Sequence, residues 1–306
     1  MITPELVRRI KEKIRGEIYE SYPMHKRTTF KVGGVADLLV SPFDINDLLN
    51  LVTLIKEFNA TYIVVGAGSN IIVKDEGLRD VVIDLTKNFT NIIKENETFI
   101  RFEAGVMLSK AISYCIKHGL SGLEPLIMVP GTIGGAIFMN AGAYGMEIKD
   151  LIKDVTLIIP DGRLVKYKKE DIGYKYRGQF LPKGAIIVDA SFSFISDKAQ
   201  DIFERTEKYK KMRLKTQPIG QPSAGSVFKN PPGYKAWQLI DEAGFRGYRI
   251  GGAVVSPKHT NFIINEGSAK AKDIIDLIKT IQSVVKKKKN IDLELEIKII
   301  GNKNEI

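Results

Sequence analysis

The chain has 306 residues, 44% of them hydrophobic and 27% charged, with 12 prolines and a single cysteine. This is enough apolar content to bury cores of its own over two domains or three small ones, and it excludes a disordered or low-complexity protein. One cysteine, Cys115, excludes an intramolecular disulfide, a zinc ribbon and a thioredoxin-type pair, and no stretch approaches the roughly 20 apolar residues of a membrane span.

The expected compartment is therefore reducing, and a cytoplasmic one. The first residues alternate charges with Leu6, Val7, Ile10, Ile14 and Ile18 at helical spacing and lack the apolar run of a secretory signal. The net charge of +10 raises the question of nucleic acid. The basic residues are spread along the chain, concentrated only at Lys208–Lys215 and Lys286–Lys289, with no reader motif beside them. Solvated helix faces and ends account for both runs, and the charge equally suits an anionic small substrate.

In chain order, Thr3-Pro4 predicts a helix start, with the apolar stripe running to about Ile18. Arg27–Ser41 reads as a hairpin or strand pair broken by Gly33 and Gly34. Asp44 caps a helix carrying Ile45, Leu48, Leu49, Val52 and Ile55 on one face. Thr61–Val65 reads as a buried strand, ended abruptly by glycines and followed by strands at Ile71–Val73 and Val81–Leu85. Phe99–Phe102 is a strand. Met107–His118 is a helix with Leu108, Ala111, Ile112, Cys115 and Ile116 inward and Gly119 at its C-terminal cap position. Ser121–Met146 is glycine-rich and reads as irregular. Strands follow at Val155–Ile159, Arg163–Tyr167 and Ile186–Phe192, then a polar helix from Asp197 through Glu207. The remainder predicts a Gly/Pro-rich loop at Gln217–Pro232, a helix at Ala236–Ala243 and strands at Ala253–Val255 and Asn261–Ile264. A long helix over Ser268–Val285 and a final strand over Leu293–Ile300 complete it. The pattern is an α+β assembly without repeats.

Two glycine-rich loops are the strongest chemical signal. Val65-Gly66-Ala67-Gly68-Ser69-Asn70 follows a strand directly and reads either as an anion cradle of main-chain N–H groups or as a tight structural turn. It is not a G-x-G-x-x-G fingerprint, because a strand and not a helix follows it. The second loop is Pro130-Gly131-Thr132-Ile133-Gly134-Gly135-Ala136, continuing through Asn140-Ala141-Gly142-Ala143-Tyr144-Gly145. So many glycines cost conformational entropy, and two such loops point to one extended ligand. There is no P-loop, H-E-x-x-H or G-x-S-x-G, and His25, His118 and His259 are too scattered to predict a metal site.

These loops, together with Thr28-Thr29-Phe30-Lys31-Val32-Gly33-Gly34, Tyr176-Arg177, Gly225-Ser226-Val227-Phe228-Lys229-Asn230-Pro231, Lys258-His259-Thr260-Asn261-Phe262 and Leu293-Glu294-Leu295-Glu296-Ile297, stand in the order in which they occur in the UDP-N-acetylenolpyruvoylglucosamine reductase family. The chain resembles the shorter form of that family from about His25 to Gly301. The resemblance implies a two-subdomain FAD-binding fold of the vanillyl-alcohol-oxidase/PCMH type, with a C-terminal α+β substrate-binding domain. The expected division is 1–88 and 89–197 for the two FAD-binding subdomains and 198–306 for the substrate domain.

The resemblance further implies FAD held without a covalent link, since Ser69 and Asn70 stand where tethering relatives carry a histidine. It implies NADPH as hydride source and reduction of an enolpyruvyl ether on UDP-GlcNAc. Carried over residue by residue, it makes Arg177, Ser226 and Glu296 catalytic: Arg177 and Glu296 at the substrate carboxylate, Ser226 as proton donor. Val65 to Asn70, Pro130, Gly131, Thr132, Gly134, Gly135, Ala136, Asn140, Ala141, Gly142 and Tyr144 become cofactor residues. Tyr176, Arg213, Lys229 and Asn230 become substrate residues, with Arg213 meeting a diphosphate or an NADPH phosphate. No metal, nucleic acid, membrane or obligatory protein partner is expected.

In isolation, Arg177 reads as a surface ion-pair residue, Ser226 as a turn residue and Glu296 as one of two solvent-facing carboxylates, with Glu294, on an alternating strand. The chain departs from the family pattern at Val35, at Gly178-Gln179-Phe180 and at Leu295, none of which removes a chemical group. The alternative readings are an FAD-dependent alcohol or hydroxy-acid oxidase, which would not need Gly225–Pro231 or Leu-Glu-x-Glu, and a non-catalytic nucleotide- or nucleic-acid-binding module.

Overall fold

The structure is a computed structural model and describes residues 2–301. The chain forms two compact units, each assembled from three stretches: residues 2–20, 38–67 and 80–212 in the first, and 21–37, 68–79 and 213–301 in the second. The limits of the expected division at Met1 and at residues 302–306 lie outside the described residues.

In the first unit, α1 (Pro4–Lys13) starts as its sequence requires, with Thr3 Oγ1 accepting from Leu6 N at 3.2 Å and Pro4 in the first turn. It stops at Lys13, short of the expected Ile18, and Glu17–Pro23 is a strand. The reason is Gly16, where any Cβ would overlap the Ser41 carbonyl oxygen. Asp47, 1% exposed, takes up the amides that the broken helix leaves, accepting from Arg15 N and Gly16 N at 3.0 Å and from Phe43 N at 2.9 Å. Leu6 and Ile10 of α1 share a core with Leu48, Leu51 and Ile55 of α2 (Ile45–Glu57), which Asp44 caps as predicted.

A four-stranded sheet runs in the order Glu17–Pro23, Val35–Ser41, Leu78–Ile83, Tyr62–Val64. The expected hairpin at Arg27–Ser41 is reduced to the strand Val35–Ser41, and Tyr62–Val64 is only partly buried. A five-stranded antiparallel sheet has the order Leu164–Lys168, Ile152–Ile158, Ile186–Ser193, Phe99–Glu103, Ile92–Lys94. Alternation places Ile100, Phe102, Val155, Leu157, Ala190 and Phe192 in the core. Against them lie α3 (Leu108–Lys117), with Ala111, Ile112 and Cys115 inward, and α4 (Ile133–Phe138). The stretch expected to be irregular therefore contains a short helix, capped by Thr132 Oγ1 accepting from Gly135 N at 3.2 Å. Beyond the sheet, α5 (Ala199–Thr216) is longer than the expected run to Glu207.

The second unit is built on α6 (Ala236–Glu242), α7 (Ala271–Lys289) and a three-stranded sheet of Arg249–Ile250, Ala253–Val255 and Ile263–Asn265. Its core joins residues distant in sequence: Phe30, Val32 and Ile72 with Val227, Phe228, Ile240, Ile274, Ile278 and Ile281. The expected final strand over Leu293–Ile300 is confined to Lys298–Ile300, which pairs in parallel with Ile71–Val73; before it the chain makes only a single bridge, Leu295 with Phe228. Asp75 closes the start of α7, accepting from Ala271 N and Lys272 N at 2.9 Å each. At the other end of α7, Lys286 and Lys289 pair with Asp292 and Glu242, and Lys288 Nζ donates to Ala243 O, so this basic run serves the helix terminus.

Candidate functional site

The first glycine loop leaves its strand at Val65, whose N–H donates to Ile83 O at 3.0 Å. Within the first unit, Gly66 lies against the second loop: a Cβ there would stand 2.7 Å from Thr132 Oγ1, the oxygen that caps α4. The two loops singled out by composition are thus neighbours, and Gly66 is what lets them approach. Around Thr132, the Pro130–Ala136 turn is pinned by Leu108 N to Gly131 O at 3.0 Å, Ile133 N to Val106 O at 2.8 Å and Gly134 N to Ala104 O at 2.9 Å. Pro130 and Gly135 are exposed, whereas Gly131, Thr132 and Ala136 are buried.

From Gly68 onward the first loop belongs to the second unit. Gly68 has φ +65, and a Cβ there would overlap the Arg27 carbonyl oxygen; its own carbonyl accepts from Thr29 N at 3.1 Å. Ala67 and Ser69 are half-buried. Asn70 ties this loop to the C-terminal segment, with Nδ2 donating to Glu296 O at 3.1 Å and its carbonyl accepting from Lys298 N at 2.9 Å.

Asn140 is fully buried with φ +44, and its Nδ2 donates to Glu147 Oε2 and to Lys175 O, both at 3.0 Å. It thereby anchors the hairpin of Tyr174–Lys175 and Gly178–Gln179, whose turn is Tyr176-Arg177. Arg177 has φ +55; Nη2 donates to Gly142 O at 2.8 Å, and its guanidinium lies 4.9 Å from the centre of the exposed Tyr176 ring. The structure thus brings Arg177, Asn140, Ala141 and Gly142 together in the first unit. Tyr144, 41% exposed, stacks on Tyr209 of α5 at 4.8 Å, a partner the sequence reading did not single out. Within the hairpin, the buried Tyr174 hydroxyl has no hydrogen-bond partner among the described residues, and burial pushes its pKa up. Along the basic stretch of α5 and beyond, Lys208, Lys211 and Lys215 are exposed and Lys210 pairs with Glu207. Arg213, in the second unit, is by contrast only 7% exposed, with Nη1 donating to Gln217 Oε1 at 3.1 Å.

In the second unit Ser226 and Glu296 sit on adjacent stretches. Ser226, half-buried, bridges to Phe262, and the next carbonyl, Val227 O, accepts from Glu296 N at 2.8 Å. Glu296 is half-buried, while Glu294 is 74% exposed and pairs with Lys229 Nζ at 2.5 Å. The two carboxylates are thus unequally open to solvent, Glu294 exposed and Glu296 half-buried. Asn230 Oδ1 accepts from Ala236 N at 3.0 Å and so caps α6. Asn261, which the sequence places within Lys258–Phe262 but to which no role is carried over, clamps the Ser226 segment. His259, packed on Phe262 and Trp237, is held below the ordinary histidine value of 6.5 by burial and then by Arg246.

No group of His, Cys, Asp and Glu among the described residues could hold a metal ion. The glycine loops do fit a large anionic cofactor such as FAD. Two positions of the first loop, Gly66 and Gly68, have no room for a side chain, so main chain alone lies there, as a phosphate-bearing group approached by backbone requires. The non-covalent mode agrees with Ser69 and Asn70, neither of which is a tethering residue.

Comparison with known proteins gives two family matches. A family model described as UDP-N-acetylenolpyruvoylglucosamine reductase, C-terminal domain, matches residues 217–300, and one described as FAD binding domain matches residues 36–168. The UDP-N-acetylenolpyruvoylglucosamine reductase of Geotalea uraniireducens is 41% identical over 98% of this chain and 99% of its own length. That of Carboxydothermus hydrogenoformans is 42% identical over 97% and 98%. Among solved structures, the UDP-N-acetylenolpyruvylglucosamine reductase (MurB) from Thermus caldophilus superposes with a TM-score of 0.82 at 34% identity, covering 94% of this chain and 100% of that one. A 4-ethylphenol oxidase from Gulosibacter chungangensis shares the fold alone, with a TM-score of 0.50 at 14% identity over 64% of this chain and 44% of the oxidase.

Proposed function

The chain belongs to the UDP-N-acetylenolpyruvoylglucosamine reductase family, and on that footing we propose that it reduces UDP-N-acetyl-enolpyruvoylglucosamine to UDP-N-acetylmuramate in peptidoglycan precursor synthesis. It is an FAD-dependent oxidoreductase with a two-part α+β architecture. The observation that carries the reading is similarity over almost the whole chain, including the C-terminal stretch that holds Ser226, Lys229 and Glu296. The likeness to the oxidase covers 64% of the chain, so an oxidase reading leaves much of it unexplained.

When bound, FAD carries hydride from NADPH to the substrate double bond. The protein's own residues manage charge and proton. Arg177 offers a planar fork to the substrate carboxylate, whose negative charge grows, enediolate-like, as hydride arrives at the terminal carbon of the double bond, the one that does not bear the carboxylate. Glu296, when protonated, hydrogen-bonds the same carboxylate. Ser226 gives its hydroxyl proton to the other carbon of the former double bond. A serine alkoxide needs donors, which Lys229 and nearby main-chain N–H groups supply. Tyr176, Arg213 and Asn230 hold the UDP-sugar, with Arg213 on a diphosphate or an NADPH phosphate. Val65 to Asn70, the Pro130 to Ala136 turn, Asn140, Ala141, Gly142 and Tyr144 hold FAD without a covalent link.

In this reading residues 1–88 and 89–197 are two FAD-binding subdomains and 198–306 the substrate domain. Among the described residues no helix is long and apolar enough to cross a membrane. We place the enzyme in the cytoplasm, acting on a small nucleotide sugar without nucleic acid or an obligatory protein partner.

The test is Ser226→Ala in anaerobic half-reactions. Reduction of the flavin by NADPH is expected to proceed at the parent rate, and reoxidation by the enolpyruvyl substrate to be suppressed by about 10²-fold or more. Reoxidation at the parent rate would remove Ser226 from the mechanism. Arg177→Ala and Glu296→Gln are expected to fail in that same half-reaction.

A further inference from the structure

Asn261 has no part in the chemistry just described, yet its position relative to Ser226 is specific. The side chain is 4% exposed, and both ends of its amide act on one residue: Oδ1 accepts from Phe228 N at 2.9 Å and Nδ2 donates to Phe228 O at 2.8 Å. Its main-chain carbonyl accepts from Val227 N at 2.9 Å. A carboxamide that satisfies the N–H and the C=O of the same residue replaces a missing strand partner. It does so where the ladder has dwindled to single bridges, Ser226 with Phe262 and Phe228 with Leu295. The reversed amide orientation would set donor against donor and acceptor against acceptor, so the pairing also fixes which way the amide faces.

On its other side Ser226 follows Gly225, which has φ +75 and open space where a Cβ would project. Past the serine, the main chain is held by Asn261 at Val227 and Phe228, beside the bridge of Ser226 to Phe262. From there the connection passes to the glutamate segment, since Val227 O accepts from Glu296 N at 2.8 Å and Glu296 O accepts from Asn70 Nδ2 at 3.1 Å. We propose that Asn261 is a positioning residue for the proton transfer: it holds the main chain at Val227 and Phe228, and so sets the direction of the Ser226 hydroxyl and its register with Glu296. The proposal rests on the reading of Ser226 as proton donor.

The experiment compares Asn261→Ala, Asn261→Asp, Ser226→Ala and the Asn261→Ala/Ser226→Ala double variant as full-length flavoproteins in anaerobic stopped flow. Asn261→Asp is nearly isosteric and keeps the acceptor for Phe228 N, so it carries the test if the alanine variant does not fold. For Asn261→Ala, reoxidation of reduced flavin by the enolpyruvyl substrate is expected to slow by about 10- to 100-fold, with flavin reduction by NADPH within about twofold of the parent. Asn261→Asp is expected to fall between. The double variant should be no slower than Ser226→Ala alone, because Asn261 acts only through the serine. With Ser226→Ala slow, parent-rate reoxidation in Asn261→Ala or Asn261→Asp would overturn the proposal alone, as would losses that multiply in the double variant. Parent-rate reoxidation in Ser226→Ala would overturn the donor reading and this proposal with it.

Discussion

Gly68 has to be glycine on two counts, a φ of +65 and an Arg27 carbonyl oxygen where a Cβ would stand. The left-handed conformation alone costs an alanine about 1–2 kcal/mol, and the obstruction is backbone that cannot swing aside. Gly68→Ala is therefore expected to lower stability by more than about 2 kcal/mol in urea unfolding. Gly66 is different, because its obstruction is the Thr132 side chain, 2.7 Å away, which can move only by releasing the α4 cap. Thr132→Val is expected to cost about 1 kcal/mol and Thr132→Ser almost nothing, measured the same way. The sequence left the first loop open between anion cradle and tight turn, and packing demands these two glycines whatever ligand is bound. Asn261 was illegible because its partners, Val227 and Phe228, lie more than thirty positions away and use main-chain atoms that carry no sequence signature.

The five-stranded sheet buries an ion cluster: Arg101, 14% exposed, pairs with Asp189 at 2.5 Å and with Asp154 and Glu95 at 2.8 Å. Burial pushes the Glu95 carboxyl up, but the Ser191 hydroxyl and Arg101 outweigh it and hold it below its ordinary value of 4.5. Its contribution to stability is thus full above that value and is lost as pH falls through the depressed one. Arg101→Met removes the only guanidinium among these three carboxylates and is expected to cost about 3 kcal/mol at neutral pH. The sign then reverses in the variant, where mutual repulsion favours protonation. The gap in urea midpoint between variant and parent should narrow from pH 7 toward pH 4.5, and a gap that widened would contradict this account.

Elements whose apolar spacing met a matching partner were legible, as α2, α3 and Ala253–Val255 show. The overrun of α1 and the overlong final strand came from periodic patterns that continued where the tertiary structure breaks the element, at Gly16 and at the single bridge of Leu295 with Phe228 before Lys298. Glu17–Pro23 and Ile92–Lys94 escaped notice because their residues are exposed or half-buried and show no alternation.

The whole molecule is organised by segments that exchange places in sequence. The second unit draws Phe30, Val32 and Ile72 into its core and pairs Lys298–Ile300 with Ile71–Val73, so a 213–306 fragment lacks part of its own interior. That fragment alone is expected to show no cooperative thermal transition, and a sharp one would contradict the assignment of its core. The full chain carries a separate reporter in each unit. Cys115, 2% exposed and pushed up in pKa by burial and then by Glu124, lies in the first, and Trp237, the single tryptophan, in the second. Since neither unit is a continuous segment, thiol labelling and tryptophan fluorescence are expected to follow one coincident urea transition.

The proposed passage of hydride from NADPH through a flavin to an enolpyruvyl ether is tested most directly by the visible spectrum of the purified protein. The account predicts an oxidised flavin band that bleaches with NADPH in the absence of oxygen and returns when UDP-N-acetyl-enolpyruvoylglucosamine is added. A flavin that stays reduced with this substrate, or a protein that takes up no FAD, would contradict it.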